Sequence, residues 1–206
     1  HFLYNTLDSV IWMVEAGQPS EAIQMVTSLA RFFRISLSRG KNIIPLSDEL
    51  DHARHYMNIQ QMRFKNRFTF RIEAGEGTQE LYTLKLVIQP ILENAIYHGM
   101  AGVEDDGEIT VTARREGADL VIEAADNGLG MRPETAASLL DEDRPEARTS
   151  GSGIGVRNVH RRIGLTFGPE YGLSIFSEPD EGTLVRIRLP ALTRAEAVER
   201  QEGEVL

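Results

Sequence analysis

The stretch LVIQPILENAIYHG, residues 86–99, combines the pattern of a buried helix with several polar side chains. After Pro90 the apolar residues recur at helical spacing, at Ile91, Leu92, Ala95 and Ile96. Asn94 and His98 are four residues apart and therefore share one face of this helix. Because Mg²⁺ prefers oxygen ligands and keeps much of its shell as water and phosphate, this face is a candidate for a phosphate-bound magnesium site. This stretch alone equally allows a polar face that merely meets solvent.

The flanking sequence predicts helices before this stretch and mostly strands after it. Helical spacing of apolar residues predicts helices over 1–17, 19–39, about 47–64 and 155–167. Strands are predicted near 68–73, 108–115, 119–125, 172–177 and 183–189. Residues 132–150 are polar and predict a mobile loop, and the acidic segment 193–206 predicts a frayed tail. This order favours an α+β sandwich with helices on one face of a mainly antiparallel sheet.

Composition restricts the possible partners and sites. The 31 acidic and 22 basic residues give a net charge of −9, which disfavours binding to nucleic-acid backbones. The absence of cysteine excludes disulfides and zinc–thiolate sites. No apolar run reaches the roughly 20 residues of a membrane span. Because the first residue is His1 and not Met, we expect the chain to be a piece of a longer protein.

The first two predicted helices form a hairpin with two apolar stripes. The helices 1–17 and 19–39 are joined by a short Gly-Gln-Pro-Ser turn. A lone hairpin cannot bury both stripes, so the simplest expectation is a homodimer in which two hairpins form a four-helix bundle. Packing of the hairpin on the rest of its own chain is the alternative.

The motif Asp126-Asn127-Gly128-Leu129-Gly130-Met131 follows directly on a predicted strand. A carboxylate at a strand end accepts hydrogen bonds, and the glycines permit a close approach of the backbone. Since adenine offers an exocyclic amine there and guanine a carbonyl oxygen, Asp126 would select ATP over GTP. Taken alone, the motif could also be a tight turn.

A second glycine motif, Gly151-Ser152-Gly153-Ile154-Gly155, leads into the predicted helix 155–167. Free backbone N–H groups at a helix N-terminus can cradle phosphate. The motif lacks the Lys-Ser/Thr of a Walker loop and the strand–turn–helix context of a dinucleotide fingerprint. Alone it is as consistent with a flexible linker.

Together, the Asn-bearing helix and the two glycine motifs resemble the N, G1 and G2 boxes of the GHKL ATPase superfamily, in the same order. Glu181-Gly182-Thr183 matches the closing Gly-Thr of that superfamily. The N-terminal His1-Phe2-Leu3-Tyr4-Asn5-Thr6-Leu7 resembles the phosphoacceptor box of LytS-like sensor histidine kinases. Gln89-Pro90 and Glu93-Asn94-Ala95 match that family as well.

The resemblance implies a fold, an activity and partners. It implies a helical phosphoacceptor and dimerisation region over 1–45, a Bergerat-type ATPase domain with a mixed sheet over 46–192, and an acidic tail over 193–206. It implies that Mg-ATP phosphorylates His1 and that an aspartate of a response regulator then takes the phosphoryl group. It further implies that this chain is the cytoplasmic portion of a membrane-anchored parent protein.

The resemblance also implies roles for individual residues. Asn94 matches the Mg²⁺ ligand, and Asp126 and Thr183 match the residues that bind adenine. The glycines of the nucleotide loops match Gly128, Gly130, Gly151, Gly153 and Gly155. His98 is expected to reach the phosphates, and Asn5, one turn after His1, to orient water or the phosphoryl group.

Two features depart from a simple match. Tyr97 stands where many family members carry Lys, so a phosphate-binding charge is either missing or supplied by His98. Phe2 cannot act as a base for His1. Glu93, on a mostly apolar helix beside Asn94, either pairs with a cation for structural reasons or faces the γ-phosphate as that base.

Two other functional classes are alternatives, a mechanical GHKL-fold ATPase and a dimeric scaffold without catalysis. The histidine-bearing hairpin argues against the first. The intact Asn94, Asp126 and nucleotide-loop glycines argue against the second.

Overall fold

The computed structural model describes residues 1–37, 40–65, 67–101, 103, 106–141 and 154–203. Its α-helices are α1 (Phe2–Glu15), α2 (Pro19–Leu37), α3 (Leu46–Arg63), α4 (Gln89–Asn94), α5 (Pro133–Ser138), α6 (Ile154–Phe167) and α7 (Arg194–Gly203). A π-helical segment, Ala95–Gly99, continues α4 directly. The strands are β1 (Ile43–Pro45), β2 (Phe68–Ala74), β3 (Tyr82–Leu84), β4 (Gly107–Glu116), β5 (Asp119–Asp126), β6 (Gly172–Glu178) and β7 (Gly182–Pro190).

Five strands form the main sheet in the order β2-β4-β5-β7-β6. Only β2 and β4 pair in parallel, and the other neighbours are antiparallel. The predicted mixed, mainly antiparallel sheet is therefore confirmed. The short antiparallel pair β1–β3 was not predicted from the sequence, because strands of three residues are too short to show a periodic pattern.

One face of the sheet is buried beneath helices. Along β4 the buried residues alternate, at Gly107, Ile109, Val111 and Ala113, which is the period of a strand with one covered face. The side chains of Ile109, Val111 and Ala113 join one core with those of the overlying helices, among them Ile59 of α3, Leu92 of α4 and Ile163 of α6. The helices therefore lie on one face, as predicted, and they hold α4 against the ends of the central strands.

The α1–α2 hairpin packs only partly on its own chain. Phe2 of α1 and Phe32 of α2 join the main core, with ring centroids 5.1 Å apart. Many large apolar side chains of the hairpin stay exposed, among them Leu3, Tyr4, Leu7, Ile11, Trp12, Val14, Ile23, Val26 and Leu37. Packing on the rest of the chain is thus confirmed for part of the hairpin, another apolar face is left open, and the homodimer stays a prediction.

The predicted frayed tail is wrong for residues 194–203, which form α7. Ala197 is buried in the main core, and the side chain of Gln201 donates to the carbonyl of Ile43 in β1. Thr193 and Glu196 form a capping box in which the Glu196 carboxylate accepts from the Thr193 backbone N–H at 2.7 Å. This Thr-x-x-Glu signal was present in the sequence. Residues 204–206 lie outside the described part.

The predicted loop over 132–150 is also partly wrong, because α5 occupies 133–138. Pro133 begins this helix, where its missing N–H costs no hydrogen bond. Residues 142–150 lie outside the described part. Among the helices that the structure describes, none is both long and apolar enough to cross a membrane.

Candidate ATP-binding site

The approach to α4 is fixed by a buried carboxylate. The fully buried side chain of Glu49, in the first turn of α3, accepts backbone hydrogen bonds from Leu86, Val87 and Ile88 at 2.8, 2.8 and 3.0 Å. Desolvation raises the pKa of Glu49, while these three donors and the charge of Arg162 oppose that rise. Glu49 thus supplies the hydrogen-bond acceptor that the N-terminus of α4 needs.

Arg162 of α6 holds the same approach segment from the other side. Its guanidinium donates to the carbonyls of Lys85 and Leu86 at 2.6 and 2.9 Å. Leu86 itself has a φ of 58°, a left-handed conformation that non-glycine residues rarely adopt. Neither Glu49 nor Arg162 was predicted to act at the site, because no local sequence pattern indicates that either side chain reaches the segment before α4.

The π-helical segment brings the polar face of this helix against the end of β5. The backbone N–H of Met100 bonds to the carbonyl of Ala95 at 2.8 Å, and the carbonyl of Gly99 accepts from Leu129 N–H at 3.0 Å. A Cβ added at Gly128 would lie 2.0 Å from the Gly99 oxygen. Gly128 is therefore required by the contact of the two backbones, a tighter constraint than the approach of a ligand.

Gly130 and Gly182 are required where the β5 and β7 ends meet. Gly130 has a φ of 60°, and a Cβ there would lie 1.9 Å from the Glu178 carbonyl oxygen. Gly182 has a φ of 91°, and its Cβ would lie 2.0 Å from the Asp126 carbonyl oxygen. These contacts, together with the antiparallel register, place Thr183 opposite Asp126.

Asp126 is a half-buried carboxylate at the end of β5. Its Oδ1 accepts from the backbone N–H of Gly128 at 3.0 Å. Burial raises the pKa of Asp126 to about 6, although the backbone hydrogen bonds of Gly128 and Thr183 oppose that rise. A carboxylate can accept more hydrogen bonds than these two, so half-buried Asp126 is suited to accept a further one from an amine such as that of adenine.

A narrow cleft unites five of the predicted site residues, which are Asn94, His98, Asp126, Gly130 and Thr183. Its remaining walls are mostly apolar and include Ile91 of α4 and Val185 of β7. A larger open pocket of about 550 Å³ adjoins it and shares Asp126 and Thr183. An apolar cleft with a few convergent polar groups is the usual form of a small-molecule site.

The other predicted residues lie elsewhere. Gly155 is in the first turn of α6, where a Cβ would lie 3.1 Å from the Pro90 Cβ, so its small size serves helix packing. Gly151 and Gly153 lie outside the described residues. His1 and Asn5 are exposed at the start of α1, and the Asn5 N–H bonds to the His1 carbonyl at 3.0 Å.

Glu93 and Tyr97 face α3. The Glu93 carboxylate accepts from Gln89 Nε2 at 2.8 Å, and its charge adds to burial in raising the pKa of Tyr56. Tyr97 Oη accepts from Gln60 Nε2 at 3.2 Å. Neither residue is among those that line the cleft. Tyr97 is thus engaged by α3, whereas His98 lines the cleft.

The donor set around Asn94 bears on magnesium. Within the described residues, no group of three or more His, Cys, Asp or Glu side chains could hold a metal ion. The Asn94 amide oxygen could serve as one ligand of a cation whose other ligands are phosphate oxygens and water. Mg²⁺ is usually bound in this way at nucleotide sites. The residues present therefore fit a nucleotide-borne Mg²⁺ and not an all-protein cage.

Comparison with known proteins agrees with this geometry. A family model described as Histidine kinase matches residues 1–68. A second, described as Histidine kinase-, DNA gyrase B-, and HSP90-like ATPase, matches residues 80–193, more than half of the chain. The chain belongs to the histidine kinase family. The sequence-based assignment to LytS-like sensor histidine kinases is thereby confirmed.

Curated relatives support the same assignment. The chain is 37% identical over 190 residues to the sensor histidine kinase YesM of Bacillus subtilis and 34% identical to BtsS of Escherichia coli K12. Each match covers 92% of this kinase chain but only 31% of the relative, so the chain spans about a third of their length.

Two solved structures confirm the fold class. The histidine kinase domain of the blue-light activated kinase EL346 from Erythrobacter litoralis superposes with a TM-score of 0.55 at 17% identity, covering 94% of this chain and 87% of that one. The catalytic domain of histidine kinase ThkA gives 0.54 at 14% identity, covering 72% and 94%. At these identities the likeness concerns the fold alone.

Proposed function

We propose that this kinase core binds Mg-ATP in the cleft, phosphorylates His1, and passes the phosphoryl group to an aspartate of a response regulator. The observation that carries the proposal is the position of Asp126, a half-buried carboxylate at the end of β5, in one cleft with Asn94 and His98. The division into a phosphoacceptor region, 1–45, and a catalytic domain, 46–192, belongs to the same proposal.

The cleft residues would hold the two ends of the nucleotide. The Asp126 carboxylate would accept a hydrogen bond from the exocyclic amine of adenine. The Thr183 hydroxyl, 3.0 Å from Ser177 Oγ, would help Asp126 to hold the base. Asn94 would hold Mg²⁺ through its amide oxygen, and the ion would neutralise charge on the phosphates. His98 would reach the phosphates from the same helical face, and the family resemblance assigns Gly151 and Gly153, outside the described residues, to the phosphate-binding loop.

Phosphorylation of His1 is an in-line displacement. A neutral imidazole nitrogen attacks the γ-phosphorus, the bond to the β,γ-bridging oxygen breaks, and ADP leaves with that electron pair. The other ring nitrogen gives up its proton to a base, for which Glu93 is the proposed carboxylate, and Asn5 orients the group on His1. In the second step the carboxylate of the response regulator attacks phosphorus, and the P–N bond breaks.

The exposed apolar face of the α1–α2 hairpin supports a homodimer. Ile11, Trp12 and Ile23 are each more than half exposed, an arrangement that burial against a second hairpin would correct. His1 lies at the start of this hairpin, so dimerisation would place two phosphoacceptors near two ATP domains. Attachment of the parent protein to a membrane is proposed from the family resemblance alone.

Incubation of the chain with γ-labelled ATP and Mg²⁺ tests the proposal. We expect label on the protein that is labile in acid and stable in base, as a phosphohistidine is. His1→Gln should abolish the label, whereas His55→Gln on α3 should retain it. ATP hydrolysis without label would favour a mechanical ATPase, and absence of both ATP binding and label would favour a scaffold.

A further inference from the structure

A buried amide on α3 joins a tyrosine of the same helix, Tyr56, to Tyr97 of the π-helical segment. Gln60 is fully buried, and its Nε2 donates to Tyr56 Oη at 2.6 Å and to Tyr97 Oη at 3.2 Å. Its Oε1 accepts from Arg63 at 2.7 Å. Both amide protons and the carbonyl oxygen are therefore engaged, which fixes the orientation of the side chain.

One end of this chain of contacts reaches the phosphoacceptor helix. The Tyr56 ring lies 5.4 Å from the ring of Phe2, the residue that follows His1. Phe2 and Tyr56 also each pack on Phe32 of α2. Since Phe2 is the first residue of α1, its contact with Tyr56 determines where the chain leaves the core at His1.

The other end reaches the wall of the cleft. Tyr97 lies within the π-helical segment, directly before His98 and Gly99, which line the cleft. Gly99 is bonded to Leu129 on the far side, so Gln60 and the β5 end hold this segment from two directions. π-Helical turns inside α-helices are frequently found at functional sites.

We infer that Gln60 is a positioning residue that couples the start of the phosphoacceptor helix to the wall of the ATP cleft, and that phosphoryl transfer to His1 depends on it while ATP binding does not. The inference rests on the proposed function. None of the atoms of Gln60 lines the cleft, so its loss removes no contact to nucleotide. Transfer depends on alignment of reacting groups, and a misplacement of about 1 Å can cost 10²-fold in rate.

The neighbouring glutamine provides a matched control. Gln61 lies on the same helix and donates from Nε2 to the carbonyl of Phe68 in β2 at 3.1 Å. Gln60→Leu and Gln61→Leu therefore make the same chemical change and each remove buried or half-buried hydrogen bonds. Only Gln60→Leu interrupts the link between Tyr56 and Tyr97.

The test compares these variants by rate of His1 phosphorylation at saturating Mg-ATP and by calorimetric ATP affinity. We expect Gln60→Leu to lower the rate about tenfold, the equivalent of one or two hydrogen bonds, with ATP affinity within about twofold of wild type. Gln61→Leu should keep the wild-type rate. Equal rates in Gln60→Leu and wild type, or a fall in ATP affinity that matches the fall in rate, would overturn the inference.

Tyr97→Phe keeps the inference testable if Gln60→Leu does not fold. It removes one hydroxyl from a half-exposed ring and should lower the transfer rate without lowering ATP affinity. Where the double variant folds, Tyr97→Phe should add little to Gln60→Leu, because both break the same link. A Tyr97→Phe rate equal to wild type overturns the inference. Failure of the wild type itself to label His1 would instead refute the proposed function.

Discussion

Asp126→Asn is expected to stabilise the nucleotide-free protein while weakening ATP binding. The pKa of Asp126 rises from its ordinary 3.8 to about 6 because burial disfavours the charged form. At 1.36 kcal/mol per pH unit, this rise corresponds to about 3 kcal/mol of destabilisation at neutral pH. Asparagine removes the charge and can still accept from Gly128 N–H, so we expect a gain of about 1–3 kcal/mol in unfolding free energy.

The sign of the pH dependence follows from the raised pKa. The folded state binds the proton more tightly than the unfolded state, so the cost of ionised Asp126 is fully present above about pH 6 and disappears below about pH 4. The stability advantage of Asp126→Asn should shrink over that window. The ionised carboxylate is also the better acceptor for adenine, by about 1–3 kcal/mol, so the affinity difference between wild type and variant should narrow as pH falls through 6.

Denaturant unfolding at pH 7.5 and pH 4.5, with calorimetric titration of ATP, measures both effects. Asp119→Asn, at the opposite end of β5, is the control, since its mostly buried carboxylate accepts from Arg188 Nε at 2.6 Å. That variant weakens a charge-assisted hydrogen bond, so it should lose about 1–3 kcal/mol of stability, a change of opposite sign to that of Asp126→Asn, and keep its ATP affinity. A less stable Asp126→Asn at pH 7.5, or one with unchanged ATP affinity, would refute the reasoning.

The remaining predictions concern the base, the α4 entrance and the dimer. Glu93→Gln should keep ATP affinity but slow His1 phosphorylation by about 10²–10⁴-fold, and a wild-type rate in a folded variant would exclude Glu93 as the base. Glu49→Ala leaves three buried backbone donors unpaired and should cost at least about 3 kcal/mol in urea unfolding, against less than about 1 kcal/mol for the exposed neighbour Asp48→Ala. Light scattering should give twice 23.0 kDa for the wild type and a smaller mass for Ile23→Glu, whereas a monomeric wild type would contradict the dimer.

Local patterns of the sequence were sufficient for most elements and for the residues of the cleft. The strands predicted near 108–115 and 119–125 lie within one residue of the bounds of β4 and β5. The sequence also predicted that Asn94 and His98 share a helical face and that Asp126 ends a strand, because each feature depends on the periodicity of a single element. The frayed tail was a misreading, since Thr193 and Glu196 carried a helix-start signal.

The physical reasons for several residues required the tertiary structure. Gly128 is needed because the backbone of Gly99 lies against it, a contact between segments about 30 residues apart. Tyr97 stands at a position associated with phosphate binding, yet its hydroxyl bonds to Gln60 on another helix. Sequence position alone could not show whether the Tyr97 hydroxyl lies in a phosphate site or against α3.

The sequence by itself determined the longer helices, the five strands of the main sheet and the glycine motifs, because short-range periodicity and residue spacing encode them, and the resemblance of those motifs indicated the family. Only the tertiary structure decided that Glu49 holds the segment before α4, that Gln60 joins Tyr56 to Tyr97, and that Asp126 is buried enough to shift its pKa. Burial and hydrogen bonding between distant segments arise when the sheet and helices pack together. Desolvation and backbone contacts therefore determine the pKa and the hydrogen bonding of residues for which the sequence predicted only the position in a helix, strand or turn.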